Sequence, residues 1–163
     1  MQLTRDQLKI YLHDHLAGST FGSELARRAA RQNEGSPYGD FLAGLAKEIA
    51  EDRATLRSIM RRLGARDDEL KNGLAWTAEK LGRLKLNGRV KGYAPLSRVI
   101  ELEGLMGGVQ GKLAMWRALH EVARDYEELD ATELNRLITR AERQLAGLGE
   151  QQLIAARDAF ERG

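Results

Sequence analysis

The sequence contains no cysteine, which excludes disulfides, thiolate metal sites and thiol nucleophiles. It holds only two prolines. Pro37 and Pro95 each open an amphipathic stretch, where the missing N–H of a first helical residue is not needed. No run approaches the ~18 apolar residues of a membrane span. The first residues include Arg5, Asp6 and Lys9 and lack the apolar core of a signal peptide. A soluble, cytoplasmic chain without a transmembrane segment is expected. Strand-like alternation and internal repeats are also missing, so the fold class is all-α. Without a Gly-x-Ser-x-Gly elbow, and with no Gly-Lys-Ser/Thr ending among the glycines, neither a covalent hydrolase nor a phosphate loop is expected.

The 163 residues, 42% of them apolar, suffice for one domain over 1–163 with a substantial core. Helical spacing predicts helices at about 5–33, 37–63, 68–85, 95–125 and 131–161. Thr4 and Gln7 have capping-box spacing for the first. Ser36 is the expected N-cap of the second, and Gly64 its left-handed close. Asp130 to Glu133 reads DATE, a capping box that opens the last helix. Leu12 and Leu16, then Leu45, Ile49 and Leu56, then Leu102, Val109 and Trp116, then Leu134, Ala141, Leu148 and Phe160 supply the buried faces. Gly104, Gly107, Gly108 and Gly111 interrupt the helix at 95–125, each at a cost of up to ~1 kcal/mol relative to alanine. Close packing against a neighbour is the expected compensation, with a bend as the alternative. Gly18 and Gly22 on the first helix invite the same reading.

The links between helices one and two and between the last two are a few residues long, which predicts two antiparallel hairpins. The link after Gly64 is about thirty residues and includes its own short helix. It can cross the bundle at ~1.5 Å per helical residue. In helix lengths and connections, nearly the whole chain resembles the ferritin-like superfamily. The resemblance implies a four-helix bundle with a long helical crossover between helices 2 and 3. Di-iron members of that superfamily use Glu-x-x-His pairs. Here Glu48, Glu51 and Glu142 are not followed three residues later by histidine, and His13, His15 and His120 lie elsewhere. The chain therefore reads as a divergent member without the standard ligands.

Asp52 falls on the apolar stripe of helix two. His15, Asp52 and Glu142 each lie about eleven residues from the same end of the bundle, near one height ~16 Å along it. A hydrogen-bonded core pair of His15 and Asp52 is expected, because an unpaired buried carboxylate is expensive. The leading function is a non-catalytic binding or assembly module that needs no cofactor. Its partner would be an unidentified protein or a second copy of the chain. A metal-dependent oxidoreductase or metal-binding protein is the alternative, holding iron, manganese or zinc through His15, Glu48, Asp52 and Glu142. A third reading is polyanion binding through the basic crossover residues Lys71, Lys80, Arg83, Lys85, Arg89 and Lys91. The net charge of +2 is small, and the six acids of Glu121 to Glu133 would repel nucleic acid, which is therefore not an expected partner.

Overall fold

A computed structural model describes residues 2–65 and 94–161. The predicted helix at 68–85 and all six crossover residues from Lys71 to Lys91 lie outside them. Among the described residues the chain is all-helical, with four long helices: α1 (Gln2–Gln32), α2 (Gly39–Arg62), α3 (Pro95–Val122) and α4 (Ala131–Phe160). A short 3-10 turn, Ala123–Asp125, follows α3. None of these helices is long and apolar enough to cross a membrane.

Local chemistry explains the helix ends, with two departures from expectation. Thr4 lies inside α1, which already runs from Gln2, so it does not cap. Ser36 does not cap α2: its hydroxyl donates to the Asn33 carbonyl at 2.7 Å and accepts the Tyr38 N–H at 3.3 Å. This Ser36–Gly39 turn closes through Gly39 N–H to the Ser36 carbonyl, and α2 starts only at Gly39. The close at Gly64 is as expected. With φ at +72°, its N–H bonds Arg61 while Ala65 N–H bonds Met60 at 2.9 Å, the paired pattern of a Schellman motif. Asp130 caps α4 by accepting from the N–H groups of Thr132 and Glu133.

Contacts at the two ends fix the helix directions. At one end Arg98 of α3 donates to Asn33 Oδ1 at 2.7 Å and stacks over Tyr38. The Tyr38 hydroxyl donates to Asp158 of α4 at 2.5 Å. The finish of α1, the start of α2, the start of α3 and the finish of α4 therefore meet. At the other end Arg5 pairs with Glu128 at 2.7 Å, and Arg62 reaches the Glu128 carbonyl and Glu133. Hence α1 is antiparallel to α2 and α3, α4 is antiparallel to α2 and α3, and α2 runs parallel to α3. Ala65 and Ala94 accordingly sit at opposite ends.

One hydrophobic core unites the four helices, with Leu12, Leu16, Ile59, Trp116, Leu119, Leu134 and Leu148 fully buried. Phe160, expected inside, is 62% exposed, because α4 is at its last turn there and has little left to pack against. Glu101 is buried and meets Arg28 across the α1–α3 seam at 3.3 Å.

Candidate functional site

Asp52 is buried, with 2% exposure, as the apolar stripe around it requires. His15 is not its partner. Lys112 of α3 donates to Asp52 Oδ2 at 2.5 Å, and Arg140 of α4 donates to Oδ1 at 3.1 Å. Gln144 binds the same group: its Oε1 accepts a second Lys112 proton at 2.6 Å, and its Nε2 donates to Glu48 at 2.9 Å. Arg143 pairs with Glu48 from the outside. Both Asp52 oxygens are thus matched by positive charge, the condition under which a buried carboxylate is tolerated.

The electrostatics follow from this knot. Burial pushes the Lys112 ammonium below its ordinary pKa, and Asp52 opposes that shift by attraction and hydrogen bonding. Arg140 is also penalised by desolvation, but Asp52, Glu51 and Glu48 outweigh it and raise its pKa. Glu48 is held below the carboxylate range, because Gln144 and Arg143 overcome the effect of its partial burial.

His15 instead packs edge-on against Tyr11, with ring centroids 4.6 Å apart. Burial lowers its pKa, and Asp14 works in the other direction. The expected pair fails for a directional reason: α1 presents His15 to its own Tyr11 one turn away, while the longer Lys112 side chain reaches Asp52 from α3. His15 and Asp52 do share a cavity of about 730 Å³ between α1, α2 and α3.

The glycines singled out in the sequence line this cavity. A Cβ built on Gly104 would meet Leu25 at 3.1 Å, so packing explains that position. The explanation fails at Gly107, Gly108 and Gly111 of α3 and at Gly18 and Gly22 of α1, where an added Cβ would find no atom within 4 Å. Gly44 and Gly149 face similar open space singly; the cavity gathers five such positions on two adjacent helices. Most of the remaining wall is apolar, including Phe21, Leu105 and Met115.

The four residues considered as metal ligands do not converge. Glu142 is half-exposed and pairs with Arg117 at 2.7 Å, Glu48 faces α4, and only His15 and Asp52 reach the cavity. Among the described residues no group of three or more His, Asp or Glu could hold a metal ion. A di-iron centre does not fit these residues: the charge compensation a metal would give Asp52 is already supplied by Lys112 and Arg140. Lys112, Arg140 and Gln144 were not anticipated. Lys112 is one residue beyond Gly111 in a helix whose glycines drew attention to packing.

Comparison with known proteins finds no matching family model, no matching curated protein and no matching solved structure.

Proposed function

We propose that this chain is a non-catalytic helical bundle of ferritin-like arrangement that acts as a binding module through the cavity between α1, α2 and α3. The arrangement is supported by two antiparallel hairpins, by α2 running parallel to α3, and by the roughly thirty residues that separate them. The single observation that carries the binding reading is the set of five glycines whose missing side chains leave open space. In mid-helix each costs up to ~1 kcal/mol relative to alanine, and no packing contact repays it. A cavity of about 730 Å³ lies within the ~300–1,000 Å³ typical of small-molecule sites. The Asp52–Lys112–Gln144 knot forms part of its structural frame: its charges are paired within the protein, and it supplies no free acid or base beside a bound molecule.

A neutral solvatochromic dye tests the reading. It should bind the wild-type protein at one per chain with a blue-shifted emission. The double variant Gly18→Leu/Gly107→Leu should lose that binding while keeping its helical circular dichroism. Absence of binding to the wild type, or equal binding by the two proteins, would refute the cavity as a site.

A further inference from the structure

Resting on the cavity reading above, we infer that the ligand is a single-chain amphiphile with an anionic head, a carboxylate or a phosphate monoester, whose apolar body lies along the glycine-lined wall and whose head meets Arg53.

Three observations on the cavity wall point to this class. First, the solvent-shielded polar atoms of the wall that lack a partner are donors. Arg53 Nε is shielded from solvent and has no acceptor, and the indole N–H of Trp116, a fully buried residue of the same wall, also lacks one. Lys112 has committed two of its three protons, to Asp52 and Gln144. A ligand that satisfies the Arg53 and Trp116 donors must bring acceptors.

Second, among the described residues Arg53 is a cation without a counter-ion. Its Nη2 donates to the Thr20 hydroxyl at 3.1 Å, but among the described residues no carboxylate pairs with it. Asp52, its immediate neighbour in sequence and also on the wall, is already taken by Lys112 and Arg140. Arg140 carries the same charge and is satisfied by Asp52 and Glu51.

Third, the charges that act on Arg53 most strongly are like charges. Burial and then the like charges of Arg57 and Arg27 lower the pKa of Arg53. Arg27 has its own partner in Glu24. Acidic Asp14 lines the same cavity and is exposed. An anion at Arg53 would relieve the repulsion that the neighbouring guanidiniums impose. A guanidinium also matches the two-oxygen edge of a carboxylate or phosphate. The apolar remainder of the wall, from Phe21 across Leu105 to Met115, suits a hydrocarbon body rather than a polar metabolite.

The test compares dodecanoate, dodecyl phosphate and dodecan-1-ol, each below its micelle concentration, by calorimetry or by displacement of the neutral dye from the whole protein. Both acids, or one of them, should bind at one per chain and at least tenfold more tightly than the alcohol. The stronger acid identifies the head group. Arg53→Met should reduce the acids to the level of the alcohol and leave the alcohol unchanged, and Arg53→Lys should retain part of the preference. Circular dichroism and thermal melting of both variants establish that they fold, and Arg53→Lys serves if Arg53→Met does not. Equal affinities for acids and alcohol, or acid binding indifferent to both Arg53 variants, would overturn the anionic head while leaving the cavity reading intact. Dye binding without binding of any of the three amphiphiles would overturn it as well. If the dye also fails to bind, the cavity reading fails with it.

Discussion

Glycine does opposite work on two sides of this bundle. On the α2–α4 side, a Cβ at Gly147 would come within 2.5 Å of the Phe41 ring, so the missing side chain makes room for a contact. That seam is bridged by long side chains, with Arg140 reaching Glu51 and Asp52, and Gln144 reaching Glu48. Facing the cavity, a Cβ at Gly18, Gly22, Gly107, Gly108 or Gly111 would meet no atom within 4 Å. A glycine in a helix leaves volume beside the backbone and says nothing of what occupies it. The neighbouring helix decides whether the vacated volume is filled.

The largest effect expected lies where the two regions join. Replacing Lys112 by Met strands Asp52 with reduced compensation and should cost about 3–5 kcal/mol of unfolding free energy, read from urea denaturation. Asp52→Leu/Lys112→Met should recover most of that loss, since an apolar pair of similar volume avoids the desolvation cost. A single variant as stable as the wild type would show that the knot does not hold the core together.

Next comes a pair of alanine substitutions with opposite signs. Gly147→Ala should lower the melting temperature, by an overpacking cost of about 1–3 kcal/mol offset in part by ~1 kcal/mol of helix propensity. Phe41→Leu should restore it. Gly107→Ala should raise the melting temperature, gaining up to about 1 kcal/mol, because the new methyl meets no atom. Shifts of the same sign would erase the contrast between the two sides.

The smallest effect concerns His15. Its folded pKa lies below the ordinary 6.5 because of burial, so the unfolded chain takes up a proton first as pH falls. The stabilisation from keeping this ring neutral is complete above pH 6.5 and is lost as pH falls from there through the folded pKa. Denaturation midpoints at pH 7.5 and 5.5 should therefore differ less for His15→Gln than for the wild type. An equal difference would show that His15 contributes nothing to acid sensitivity.

Much of the architecture was legible along the chain. The stripes of Leu12 and Leu16, of Ile49 and Leu56, and of Leu134, Ala141 and Leu148 have one period and one buried outcome. Gly64 and Asp130 marked helix ends correctly, because capping depends on a few adjacent residues. Asp52 was also recognisable as buried, since a carboxylate within such a stripe has nowhere else to point. The start of α2 was misread: Ser36 has the chemistry of a cap, but its hydroxyl is drawn to the Asn33 carbonyl in the preceding turn. The partner of Asp52 was misread for a different reason. Equal height along a bundle places His15 near Asp52, but height alone does not determine rotation about the helix axis or the reach of competing side chains.

By itself, then, the sequence determined four amphipathic rods, the ends marked by Gly64 and Asp130, and one acidic residue committed to the interior, because these follow from periodicity and local hydrogen bonding. Only the tertiary structure decided that Lys112 and Arg140 neutralise that acid, that Gly147 is filled while Gly107 stays open, and that Arg53 borders the open space with no counter-ion among the described residues. Those outcomes depend on distances between helices far apart in the chain, and no local pattern of residues encodes them.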